Sequence, residues 1–165
     1  MTAQLDSETA RGKKYIALQH HISNAVCAHW GCINRADPAD MTAPYDALFY
    51  RDEVMIGVAE IKARNLSKHL LEDWGSYILT ESKLDANIKL ARSYEVPFTL
   101  IVYLRHSDTL VFWKITDADG QLLCRYTTKW TQTPETVNGG LIWRENAYIR
   151  LDNMKVLPIS LTERG

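Results

Sequence analysis

No apolar run in this chain approaches the roughly 20 residues that a helix needs to cross a bilayer, so a membrane-spanning helix is not expected. The stretch from Met1 to Ala10 is polar and lacks the apolar centre of a secretory signal. Cysteine is scarce and odd in number. Cys27, Cys32 and Cys124 fit reduced thiols in a cytoplasm better than a disulfide framework. Charge imbalance is missing as well. A formal net charge of −1 excludes a protein that coats nucleic acid through bulk positive charge, while leaving room for a local basic groove. There is no P-loop, no glycine-rich dinucleotide turn and no nucleophile elbow. Cys27, His29 and Cys32 do not have the spacing of a zinc finger or ribbon and read as core thiols and a partly exposed imidazole. Repeats, linkers and low-complexity tracts are also absent.

What is present is an ordinary globular composition. With 46% apolar and 24% charged residues, the 165-residue chain is expected to bury one core as a single domain spanning residues 1–165. Ser7 suits a helix N-cap, and Tyr15, Leu18, Ile22 and Val26 recur at helical spacing until Gly31. Residues 34–44 read as a loop. Tyr45–Tyr50 and Val54–Ala63 read as two strands joined at Arg51-Asp52-Glu53. The second is apolar on both faces, as for a central strand covered on both sides. A short helix near Leu66–Leu71 and a short strand at Tyr77–Leu79 are consistent with the ambiguous stretch that follows. Leu84, Ile88 and Ala91 mark a helix over 81–94, with Pro97 beyond its end. Phe98–Leu104, Thr109–Thr116 and Gln121–Thr128 read as strands, Thr131–Gly140 as a polar loop, and Leu141–Leu151 as a mixed segment. The order implies an α/β or α+β sandwich around a mixed sheet.

Two charges interrupt the apolar strand. Glu60 and Lys62 lie two apart, so a carboxylate and an ammonium stand side by side on one strand face. Such charges are costly unless paired, solvated or functional. Asp46, on the preceding strand, can approach Glu60 across the hairpin. Two convergent carboxylates make a hard oxygen site suited to Mg²⁺ or Mn²⁺. An ion held there can polarise a phosphate oxygen and acidify water, with Lys62 beside it to orient the attacking water or stabilise developing charge. The plainer alternative for the same three residues is an ion pair at a solvated strand end.

Pro44-Tyr45-Asp46, thirteen intervening residues, then Glu60-Ile61-Lys62 resembles the signature of the PD-(D/E)XK nuclease superfamily, which includes restriction endonucleases, Holliday-junction resolvases and phage exonucleases. The resemblance covers roughly Glu8 to Leu104, and departs from the motif only in having Tyr45 directly before the aspartate. It implies a restriction-endonuclease-like core, a mixed central sheet flanked by helices, here followed by a C-terminal β-hairpin. It also implies metal binding by Asp46, Glu60 and the carbonyl of Ile61, a catalytic Lys62, a further acidic ligand in the first helix matched by Glu8, and a polar residue on the following helix matched by Lys83. The implied function is an Mg²⁺- or Mn²⁺-dependent deoxyribonuclease acting on DNA, phage- or mobile-element-encoded, with homodimerisation one way for a small near-neutral chain to grip its substrate. The alternative is a catalytically weak or inactive nuclease fold that binds DNA or a protein. For Glu8 a helix-start charge, and for Lys83 a solvent-facing lysine, are the plainer readings. Lys129-Trp130-Thr131-Gln132-Thr133 and Trp143-Arg144-Glu145-Asn146-Ala147-Tyr148 mix aromatics, cations and amides in a way that suits base stacking and phosphate contact, or else a hairpin burying its rings in a second core.

Overall fold

The computed structural model describes residues 10–37, 40, 42–134 and 140–162. Ser7 and Glu8, the expected cap and the expected acidic residue of the first helix, lie outside these residues.

Helix α1 (Ala10–Trp30) carries Ile22 and Val26 into the core and ends at Gly31, whose φ of +66° favours glycine. A two-residue strand β1 (Ile33–Asn34) pairs with β2 (Ala47–Arg51), which pairs in turn with β3 (Val54–Arg64). Ser67 caps α2 (Lys68–Trp74) by accepting from the Leu70 N–H, and Gly75 closes that helix at a φ of 76°. Strand β4 (Ser76–Thr80) then runs directly into α3 (Glu81–Tyr94), which stops at Glu95, two residues before Pro97. Strands β5 (Phe98–Leu104), β6 (Thr109–Thr116), β7 (Tyr126–Pro134), β8 (Leu141–Arg150) and β9 (Lys155–Leu157) follow.

The main sheet has the order β1-β2-β3-β5-β6-β9, with β3 parallel to β5 and the other pairs antiparallel. Every residue of β5 is buried, as a strand covered on both faces requires. Strict alternation divides β3. Ala59, Ile61 and Ala63 face α1 with Ile101 and Tyr103, whereas Val58 packs on the opposite face with Leu100 and Val102, beneath α3. Glu60 and Lys62 share the parity of Val58 and so stand on the α3 side. This is the expected mixed central sheet flanked by helices, with a restriction-endonuclease-like arrangement.

The C-terminal hairpin is more than an appendage. Strand β4 joins it to form a second sheet, β4-β8-β7, which covers the α3 face of the main sheet. Trp113 of β6 fastens the two sheets: its ring lies 5.6 Å from that of Tyr77 in β4, and its indole N–H donates to the Arg150 carbonyl of β8 at 3.1 Å. The boundaries here differ from the sequence reading. The strand expected over Gln121–Thr128 begins at Tyr126, and only Leu122 bridges back to Thr116. It then continues to Pro134, through the first four residues of the segment read as a loop, Thr131–Gly140. Threonine is β-branched and suits an extended strand as well as a loop, and β8 supplies the partner that local composition cannot reveal.

The β2–β3 turn is tighter than expected. Arg51 pairs with Val54, so the loop is Asp52-Glu53 alone, and both residues have positive φ (49° and 68°). A two-residue hairpin asks for such angles, yet neither residue is glycine. Left-handed backbone costs a non-glycine residue about 1–2 kcal/mol, and the solvent-exposed Arg35–Glu53 ion pair at 2.6 Å offsets little of that. Replacing Asp52-Glu53 by Asn-Gly is therefore expected to stabilise the protein by about 1 kcal/mol. The urea unfolding midpoint reads this, and an unchanged or lower midpoint would contradict it.

Candidate active site

The site grows from the place where β2 stops and β3 continues. Asp46 precedes β2; its N–H still donates to the Ala59 carbonyl at 2.9 Å. Beyond that point β3 has no backbone partner on this side among the described residues, and side chains take over. The Asp46 carboxylate accepts from the Ile61 N–H at 2.7 Å. The Gln19 amide of α1 donates to the Ile61 carbonyl at 2.9 Å, and the Ala63 N–H donates to the Tyr15 phenol oxygen at 3.4 Å. Unpaired peptide groups away from water are expensive, so this end of β3 is completed by one carboxylate and one helix face.

Glu60 is fully buried on the α3 side. Its Oε2 accepts from Asn87 Nδ2 at 3.3 Å, while Lys62 Nζ lies 3.0 Å and Lys83 Nζ 3.9 Å from Oε1. Proximity and direction disagree at Oε1: the Lys62 ammonium is in ion-pair range but is not aligned for a hydrogen bond, so that oxygen keeps unused accepting capacity. Asp46 responds to the crowding. Burial and then the neighbouring Glu60 carboxylate push its pKa up to about 6, against the pull of Lys62 and of the bond from Ile61. Burial draws the Lys62 ammonium down, but Glu60, Tyr15 and Asp46 outweigh it and the net shift is upward. Lys62 is thus a firmly held cation.

Asp46, Glu60, Ile61, Lys62 and Lys83 therefore meet at one place, and Glu8 lies outside the described residues. Two further residues belong to the arrangement and were not expected. Asn87 Nδ2 faces three acceptors, the Glu60 carboxylate, the Pro44 carbonyl and the Lys83 carbonyl, the last two at 3.0 Å. It ties the Pro44-Tyr45-Asp46 segment, β3 and α3 together. Its signal in the sequence is an amide set into the apolar stripe Leu84, Ile88 and Ala91, one turn after Lys83. Gln19 is the second, one turn after Tyr15 on the stripe of α1.

A cavity of about 620 Å³ opens over this cluster, walled by Tyr15, Gln19, Asp46, Ile61, Lys62 and Lys83, with Asp37 and Asp40 on its loop side. A second cavity of about 670 Å³, between Trp30, Phe49 and Phe112, contains none of these residues. The thiols play no part: Cys27 and Cys124 are buried in different core clusters and all three cysteines are free.

The crowding at Asp46 has a measurable signature. Its folded pKa of about 6 exceeds the ordinary value of 3.8, so the fold disfavours the charged form. Between those values the folded state retains a proton that the unfolded state has lost, and stability contributed by this group falls as pH rises through that window. Asp46→Asn is expected to stabilise the metal-free protein at pH 7.5 by on the order of 1–3 kcal/mol, with little gain at pH 4. Melting in EDTA at the two pH values reads the difference, and an equal effect at both would refute the crowding.

A family model described as "Phage putative PDDEXK endonuclease" matches residues 6–127. The matched span includes Asp46, Glu60, Lys62, Lys83 and Asn87 and stops within the first residues of β7. No curated protein and no solved structure matches the chain. Matched over well beyond half its length, the chain belongs to the family of phage PDDEXK endonucleases.

Proposed function

We propose that residues 1–165 act as one nuclease-like domain that hydrolyses DNA phosphodiester bonds with Mg²⁺ or Mn²⁺, and that the cavity beside Asp46 is where the cut occurs. The observation that carries this reading is the pairing of two carboxylates in a low-water setting, with Glu60 Oε1 lacking a directed partner and Asp46 raised by its neighbour's charge. A divalent cation would relieve both. Among the described residues no third His, Cys, Asp or Glu completes a cluster of metal-binding side chains. That suits Mg²⁺, which binds through one or two carboxylates and keeps several waters.

In this reading Asp46 and Glu60 hold the ion, joined by the Ile61 carbonyl, whose second lone pair stays available beside the Gln19 bond. When bound, the ion supplies Lewis-acid polarisation of the phosphate and acidification of water. Lys62, held as a cation, orients the attacking water and balances charge on the phosphate rather than accepting a proton. Lys83, half exposed above Glu60, contacts the substrate phosphate. Asn87 positions Glu60 without touching substrate. Family membership supports DNA as the substrate class. Free cysteines suit a reducing cytoplasm, and a phage origin fits the family. No helix among the described residues is long and apolar enough to cross a membrane. A homodimer would supply the grip on DNA that one near-neutral chain lacks.

Assayed on single-stranded, duplex and branched DNA, the protein is expected to cut at least one of them with Mg²⁺ or Mn²⁺, whereas Ca²⁺ supports binding without efficient cutting. The Glu60→Ala, Lys62→Ala double variant should lose roughly a hundredfold or more in rate. Full activity in that variant would sink the assignment. Metal-independent DNA binding with no cleavage under any condition would identify a nuclease fold used as a binding module.

A further inference from the structure

The family match ends where the second sheet gains its outer strands, and those strands do something the core does not. The β4–β8 pairing ends at Thr80 and Asn146, but β7 and β8 run on together, Trp130–Pro134 against Leu141–Glu145. Among the described residues no third strand covers this part, so it projects as a two-stranded ribbon. Its root lies at the start of α3, because Thr80 is followed directly by the helical turn that carries Lys83 to within 3.9 Å of Glu60. The ribbon therefore springs from the rim of the candidate active site.

Its face composition is unusual. Trp130 is opposite Glu145, and Gln132 opposite Trp143, so all four side chains share one face. By strand alternation it is the face that, nearer the body, buries Ala147 and Ile149 beside Tyr77 and Leu79. The core face simply continues outward into solvent, leaving Trp130 66% and Trp143 61% exposed. The second-core alternative for these rings does not apply to them. Each tryptophan has a cation as its chain neighbour, Lys129 and Arg144, whereas Arg150, at the far end of β8, lies 3.7 Å from Asp152. The ribbon is thin compared with a screening length of about 8–10 Å, so cations on its back face still act on a phosphate at its front.

We propose that this ribbon is a stacking arm for unpaired nucleobases, so that the substrate is DNA with single-stranded character beside the scissile phosphate; the placement relative to cutting rests on the nuclease reading above. Trp130 and Trp143 offer flat π-surfaces to bases of any sequence, and Gln132 and Glu145 between them offer an acceptor and a donor for base edges. Bases in an intact duplex are stacked on one another and present no face to such an arm. A self-association surface would be served by an uninterrupted apolar patch, whereas this face interleaves rings with an amide and a carboxylate.

The test uses the full chain in EDTA, so that binding is read without cleavage. Tryptophan fluorescence is titrated with a short single-stranded DNA oligonucleotide and with a blunt duplex of the same sequence. Wild-type emission should be quenched by the single strand at concentrations where the duplex has little effect. Trp130→Ala and Trp143→Ala should each raise the single-strand dissociation constant by roughly tenfold, while the Phe variants stay within about threefold of wild type, with unchanged circular dichroism in all. Wild-type affinity in the double alanine variant, or equal binding of the blunt duplex, overturns the proposal. So does a wild-type dimer that the double alanine variant converts to monomers with oligonucleotide affinity intact, which would make a second copy the occupant. Loss of metal-dependent cleavage with quenching preserved overturns the nuclease reading and leaves the arm standing.

Discussion

A carboxylate with no exposure to water governs this structure. Removing such a group from solvent costs several kcal/mol unless nearby groups compensate it. Glu60 meets that demand with Lys62 from its own strand and with Lys83 and Asn87 from α3. Asn87 in turn grips Pro44, so the path into β2 is set by the same requirement. The docking of α3 on the sheet, the approach of the Asp46 segment and the length of β3 beyond its hairpin partner all converge on one charge. At Oε1 the Lys62 ammonium lies 3.0 Å away but off the hydrogen-bonding direction, so that oxygen keeps accepting capacity.

Much of this was legible from residue order, because the relevant signals are periodic. The two-residue spacing of Glu60 and Lys62 places them together on any strand, and the stripe Leu84, Ile88, Ala91 fixes α3 closely at Glu81–Tyr94. The hairpin brings Asp46 beside β3 for the same local reason. What escaped is non-local. The sequence marks Asn87 as a polar interruption of an apolar stripe but cannot say that three acceptors from three segments await it. Gln19 looks like any helix glutamine until β3 outruns β2. Strand β4 is short and ambiguous alone, and its membership of a separate sheet depends on β8, some seventy residues away. Thr131–Pro134, the start of the segment that reads as a loop, is strand because β-branched polar residues suit both states and only the partner decides.

The molecule thus divides its labour between two sheets. The main sheet and its helices hold the charged groups, and all of these elements except β9 fall inside the family-matched span. The second sheet shares their core through Trp113 and Tyr77, yet sends its outer strands beyond it. Rigid chemistry and variable recognition are commonly separated in this way, with a fixed scaffold presenting an extension that can change without disturbing the site.

The side chains that complete β3 carry one more implication. A strand end with free N–H and C=O groups is a template onto which another chain can add a strand, the first step toward aggregation. Ile61 and Ala63 would offer such a template at the point where β2 stops. Asp46, Gln19 and Tyr15 occupy those groups instead, so the residues that shape the cavity also close this edge of β3 to an added strand.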